Sequence, residues 1–283
     1  MARIESLNLL NSQDGKAFLA EQYKTMLDEI SKETLSFKLK NKDISGIPVK
    51  GGTVVARRFV NAEIEDYGTA RKAGKGKAAR FDEIDVKIDT NRELIEEVEA
   101  KDIGLSGVDG LVKNRIAKQK LALKSELEDR FFAEAKKGAG KNKVSYKDTD
   151  KIEDILEDFI QALEITKNDF VRGVERNEIV LVLSPKLYGK ARIYIDKIKG
   201  VDKEEITLFH GVEVYSSIYL PDKTDAIAMV KEQIAQPVKI NVMNPSPIDL
   251  SDAFGFGTFA YYGTKTLAPD LIYVLEKSAG AAA

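Results

Sequence analysis

The sequence predicts an α+β protein, and three stretches predict it. Residues 53–90 form two alternating arms around a basic, glycine-rich tip, residues 109–137 form one long amphipathic helix, and helices alternate with strands from about residue 151. On the outgoing arm Val54, Ala56, Val60, Ala62 and Ile64 share one parity, against Arg57, Phe59, Asn61, Glu63 and Glu65. On the return arm Ile84, Val86 and Ile88 oppose Glu83, Asp85, Lys87 and Asp89. This is the period-two pattern of half-buried strands. Arms of roughly 10 residues at ~3.3 Å each project about 30 to 35 Å. A two-stranded ribbon standing alone is marginal in water, so the apolar parity is expected to lie on a neighbouring copy.

Charge adds a direction to that expectation. Between Tyr67 and Phe81 stand Arg71, Lys72, Lys75, Lys77 and Arg80 with no acid, whereas residues 82–102 carry nine acids against three bases. Adjacent blocks of opposite sign suit head-to-tail docking of identical subunits. The candidate contacts are therefore the tip bases Arg71, Lys72, Lys75, Lys77 and Arg80 and the acids Asp82, Glu83, Asp85, Glu96 and Glu97.

The remaining elements follow in order. Residues 14–40 read as a helix with Phe18, Tyr23, Met26, Leu27 and Ile30 on one stripe. Gly46, Pro48, Gly51 and Gly52 end it, and residues 91–101 read as a short acidic helix. Gly104, Gly107 and Gly110 mark a hinge. The helix over 109–137, ~43 Å long at 1.5 Å per residue, carries Val112, Ile116, Leu123, Leu127, Phe131 and Ala135 at spacings of four or seven. Residues 138–150 are a polar connector. Beyond it Ile152, Ile155, Leu156, Phe159, Ile160 and Leu163 mark a helix, and the apolar run 178–183 marks a strand covered on both faces. A helix over 187–199 and strands over 212–218 and 226–230 complete an α/β unit. A turn-rich return over 241–247 leads to a closing strand pair, 256–262 and 271–276.

Composition removes several functions. A formal net charge of −2 argues against a dedicated nucleic-acid binder, and the absence of cysteine removes disulfides, thiolate metal sites and thiol nucleophiles. No run approaches the 18 apolar residues of a membrane span. The single histidine, His210, has no second histidine or cysteine with which to build a zinc site, so a structural or surface role is expected. The stretch 68–75 (GTARKAGK) has five residues between its glycines where a phosphate-binding loop has four, and Gly76 stands where Ser or Thr would bind magnesium. Gly255 and Gly257 lack the third glycine of a dinucleotide fingerprint, so close packing or a bulge is the reading. The pairs Glu96/Glu97 and Glu204/Glu205 read as solvated faces. No enzyme activity, cofactor or metal is expected.

In this order the elements resemble the major capsid proteins of tailed bacteriophages, whose Hong Kong 97-like fold encapsulin shells share. The stretches that carry the likeness are Leu183, Ser184 and Pro185 before a helix, Gly211 to Val214 leading to Leu220 and Pro221, and the closing Phe259, Ala260, Tyr261, Tyr262 and Gly263. The resemblance implies an N-terminal arm (1–45), an extended loop (46–101), a peripheral domain with a spine helix (102–150 and 238–283, the helix at 109–137) and a central axial domain (151–237). It further implies pentamers and hexamers of this chain tiling an icosahedral shell around double-stranded DNA, bound without sequence specificity, in a virion assembled in the host bacterial cytoplasm. Portal, decoration and scaffolding proteins are the implied partners, with no membrane.

Two finer expectations follow. The first helix begins within about 14 residues of Met1, so a separate scaffolding protein or none is expected. Lys72, Lys75 and Lys77 lie where some members crosslink a loop lysine to a neighbour's asparagine, but no partner asparagine or catalysing acid can be assigned, so no crosslink is expected. An encapsulin nanocompartment, a nucleic-acid-binding module using the basic tip and a small-molecule enzyme built on the α/β unit remain the alternatives.

Overall fold

The computed structural model describes residues 6–45, 52–64, 66–67, 79–103, 107–199 and 205–278. The chain opens with α1 (Gln13–Glu33) and α2 (Leu35–Leu39), and then forms the hairpin β1 (Thr53–Phe59) and β2 (Phe81–Lys87). It continues into β3 (Thr90–Val98) and the long helix α3 (Gly107–Ala139). Next come β4 (Lys143–Tyr146), α4 (Ile152–Glu164), β5 (Ile179–Leu183), α5 (Pro185–Ala191), β6 (Asp196–Lys199), β7 (Glu205–Phe209), β8 (Val212–Ser216) and β9 (Ala226–Val230). The last strands are β10 (Ile234–Ala235), β11 (Val238–Val242), β12 (Ser246–Pro247), β13 (Phe254–Tyr262), β14 (Lys265–Thr266) and β15 (Ile272–Lys277).

The helix α3 organises the molecule because it belongs to two cores. Its buried positions run Val108, Val112, Ile116, Gln119, Leu123, Leu127, Phe131, Ala135 and Ala139, a seam that recurs almost every fourth residue. The first part packs with Phe18, Tyr23, Met26 and Ile30 of α1 and with Phe254, Phe256, Ala260 and Tyr262 of β13. The last part, with Phe131 and Phe132, packs on Val180, Val182, Ile227, Met229, Ile272 and Val274.

Those six residues lie in a seven-stranded sheet of order β4-β15-β9-β5-β8-β7-β6. Its other face is covered by α4 through Ile155, Leu156, Phe159, Ile160 and Leu163. All five residues of β5 are buried, as the continuous apolar run requires. Ser184 then caps α5 by accepting from the Leu187 N–H, with Pro185 at the first helical position.

Five expectations are corrected. Residues 91–101 are not a helix: β3 pairs antiparallel with β13 over nine positions, from Thr90↔Tyr262 to Val98↔Phe254. The helical spacing of Leu94 and Val98 is real, but the ladder and the burial of Leu94 and Val98 among α1 and α3 outweigh a weak local propensity. The helix expected over 187–199 ends at Ala191, and after one 3₁₀ turn the chain pairs as β6 with β7. The first helix breaks at Thr34, whose backbone is extended (ψ 135°) and whose Oγ1 donates to the Ile30 carbonyl at 2.5 Å. The two closing strands do not pair: β13 lies with β3, β11 and β12, while β15 lies between β4 and β9, so the 238–283 stretch contributes to both sheets. The fifth correction concerns the hairpin.

Candidate assembly surface

The hairpin pairs in the register Thr53↔Lys87 through Phe59↔Phe81, and over those positions the parity read from the sequence holds: Val54 faces Val86, and Ala56 faces Ile84. The ladder stops at Phe59, short of the expected arm, and Ile64, expected on the covered parity, is exposed. What covers that face is the chain itself. Ala56 and Val86 are buried with Ala235 and Leu267, flanked by Ile44, Val54 and Ile84. Complete burial of one valine is worth about 1.5–3 kcal/mol, which makes this root a stable attachment. The base is also pinned: Ile88 N–H donates to the Gly52 carbonyl at 2.6 Å, and Gly263, at the end of β13, sits so close to the Lys87 carbonyl that a Cβ there would collide with it.

The opposite face points outward and is unexpectedly aromatic. Phe59 and Phe81 meet edge to face at 5.6 Å, with the Arg57 guanidinium 4.8 Å from the Phe81 ring and paired to Glu83 at 3.1 Å. Val55, Phe59 and Phe81 are all exposed, as are Ile64 and Tyr67 beyond the ladder. The sequence reading missed this face because the Phe59–Phe81 pair depends on a register that the tip does not reveal.

The predicted contact residues fall in several places. Arg71, Lys72, Lys75 and Lys77 lie outside the described residues. Arg80 is exposed just before β2, and its carbonyl accepts from Val60 N–H at 2.9 Å. Asp82, Glu83 and Asp85 are exposed on β2, Glu83 being the partner of Arg57. Glu97 is exposed on β3, but Glu96 turns inward and forms an ion pair with Arg115 of α3.

Among the described residues two charged side chains are buried, Glu128 of α3 and Lys40 at the end of α2. Glu128 accepts from the N–H groups of Ser36, at 3.3 Å, and Leu35, so it caps α2 from α3. Burial pushes its carboxyl up to about 7, against the pull of those two N–H groups and of Lys124; Asp129 adds to the rise. At the far end of α2, Lys40 donates to the Gln236 carbonyl at 3.1 Å and lies 3.6 Å over the Phe37 ring, and burial lowers its ammonium to about 8.

The Glu128 shift carries a prediction. Its folded pKa exceeds the ordinary 4.5, so its contribution to stability is fully present below pH 4.5 and is lost as pH rises to about 7. Glu128→Gln should remove that loss. The stability of the variant minus that of the native chain should rise between pH 4.5 and 7.5 by on the order of 3 kcal/mol at most, read from urea midpoints. A difference that stays flat with pH would show that Glu128 is not the titrating group.

His210 closes the turn between β7 and β8. Its ring lies 3.6 Å from Glu153 and 3.4 Å from Glu157 of α4, and stacks on Phe209 at 4.3 Å. Arg176 already holds Glu157, drawing that carboxyl down to about 2, and also pairs with Glu164 at 2.7 Å. Among the described residues no group of three or more His, Cys, Asp or Glu could hold a metal ion, and no helix is long and apolar enough to cross a membrane. Gly257 explains part of the GFG motif as close packing: a Cβ there would strike the Leu94 carbonyl of β3.

No family model matches the sequence, and no curated protein matches it. Solved structures do match the fold. The capsid of Ralstonia phage GP4 superposes at TM-score 0.61 with 12% identity, over 86% of this chain and 87% of that one. A Mycobacterium phage Che8 structure gives 0.61 with 18% identity, over 86% and 91%. An encapsulin complex from Synechococcus elongatus gives 0.55 with 10% identity, over 82% and 84%. The chain therefore has the α+β Hong Kong 97-like fold.

Proposed function

We propose that this chain is the major shell subunit of a tailed-bacteriophage head, in which pentamers and hexamers close into an icosahedral shell around double-stranded DNA. The observation that carries this reading is the long α3 girder together with an extended hairpin, in a fold shared over more than four-fifths of its length with a phage capsid. The hairpin's outer face carries exposed aromatics that a lone subunit leaves in water, and such a face fits a neighbouring copy. Its role is structural, and the chain performs no catalysis. Arg71, Lys72, Lys75, Lys77 and Arg80 would meet Asp82, Asp85 and Glu97 of a neighbour; Glu83 and Glu96, paired with Arg57 and Arg115, are weaker candidates.

In this reading the N-terminal arm is 1–45, the extended loop with its hairpin 46–101, the peripheral domain 102–150 with 238–283, and the axial domain 151–237, β15 joining the axial sheet. Assembly takes place in the host cytoplasm and the product is the virion, with portal and decoration proteins as further partners.

Negative-stain microscopy of concentrated protein tests this. Closed shells tens of nanometres wide are expected, and monodisperse monomers under every condition would overturn it. The likeness to the encapsulin favours a second reading, a protein-filled compartment. Particles purified from cells separate the two, since a head encloses nuclease-protected DNA and a compartment encloses a protein.

A further inference from the structure

The hairpin is held to its own subunit by more than its apolar root. One step further toward the tip Arg58, on the same parity as Ala56, lays its guanidinium on the Asp270 carboxylate. The contact is bidentate, with Nη1 2.6 Å from Oδ1 and Nη2 2.8 Å from Oδ2. The two side chains are only 19% and 22% exposed, and the guanidinium lies 4.4 Å from the Phe170 ring. Asn168 donates to the same carboxylate at 2.6 Å. Burial by itself would raise the Asp270 carboxyl, but the bonds from Arg58 and Asn168 outweigh it and hold it below the usual range. Further out, Asn61 N–H donates to the Asp169 carbonyl at 2.9 Å, and Arg172 donates to the Ala62 carbonyl.

Both anchor points belong to turns of the subunit body. Residues 168–172 form a turn closed by the Lys167↔Arg172 bridge, in which the Asn168 side chain accepts from the Phe170 and Val171 N–H groups at 2.8 and 2.9 Å. Asp270 sits in the 3₁₀ turn Pro269–Leu271 that leads into β15. A half-buried bidentate pair in such a setting is worth more than a surface ion pair, and it specifies one direction.

We propose that Arg58 and Asp270 are positioning residues for assembly: they fix the direction of the arm in the lone subunit, so that its outer face, Val55, Phe59 and Phe81, meets a neighbour already aligned. This rests on the shell reading above. The physical ground is the cost of ordering. A ribbon free to swing must be immobilised at every docking event, and a clasped one has lost that freedom during folding. Because each shell repeats the contact in many copies, a modest gain per arm becomes a large shift in the concentration at which shells close.

The test compares the native chain with Arg58→Met, which keeps much of the stem over Phe170, with Asp270→Asn, and with the exchange Arg58→Asp/Asp270→Arg. Amide hydrogen exchange is followed in the dilute subunit, and the threshold concentration for particles is followed by light scattering. The single variants should keep the native helix signal, exchange at residues 58–62 at least tenfold faster, and need a threshold at least tenfold higher. The double exchange should recover part of both losses. Unchanged exchange and threshold in the single variants would overturn the proposal. A lowered threshold would overturn it too, since the clasp would then restrain the arm. If the native chain forms no particles, the shell reading fails with it, while the exchange data still report separately whether the clasp orders the arm.

Discussion

Replacing Gly257 with alanine should destabilise the protein by about 3 kcal/mol, at the upper end for an overpacked site. A Cβ at this position would collide with the Leu94 carbonyl, and Ile95 Cα would lie only 2.9 Å away. Both atoms are backbone of β3, so no side-chain rotation relieves the contact. The strand must move off β13, and with it go Leu94 and Val98, which pack among α1 and α3. Gly255, two residues earlier on the same strand, is the matched control. The nearest atom to a Cβ there is Met243 Cε at 3.7 Å, an ordinary contact, and Gly255→Ala should change stability by less than about 1 kcal/mol. Urea unfolding of the two variants decides the matter, and equal midpoints would mean that β3 can shift at little cost.

The second large effect is on assembly. Changing Arg71, Lys72, Lys75 and Lys77 together to glutamate should leave a folded subunit, with a melting temperature within a few degrees of native, and yield no closed particles by electron microscopy. The reason is the sign of the charge: the acids of β2 and β3 would meet a negative tip, and like charges across a contact cost several kcal/mol. The attraction is screened by salt, so native assembly should also weaken as ionic strength rises toward 1 M, where the Debye length falls to about 3 Å. Normal particles from the reversed variant would remove the tip from the contact and leave the aromatic face of the hairpin to hold it alone.

How far the fold is legible in the sequence depends on what each element rests on. The long helix is legible because Val112, Ile116, Leu123, Leu127, Phe131 and Ala135 repeat a spacing that only a helix turns to one side, and the observed α3 exceeds the expected bounds by two residues at each end. The strands β5 and β9 are legible for the opposite reason, as short runs apolar on every residue. β3 is not, because Leu94 and Val98 satisfy a helical spacing and an alternating one equally well. Only its partner β13, some 160 residues further on, selects the second.

The same limit applies to the surface. Parity says which residues of the hairpin share a face, but it cannot say what lies against them, and here the apolar face is closed by Ala235 and Leu267 of the same chain. Arg58 and Asp270 are 212 residues apart and carry no local pattern at all.

The two-core helix also governs how the subunit comes apart. Leu123 and Leu127 belong to one cluster and Phe131 and Phe132, a turn later, to the other, with unbroken helix between them. Fraying the helix from either end strips one cluster of Val112, Ile116, Leu123 and Leu127 or the other of Phe131 and Phe132, so neither has a melting point of its own. The subunit should fail all at once, with one calorimetric peak in place of two.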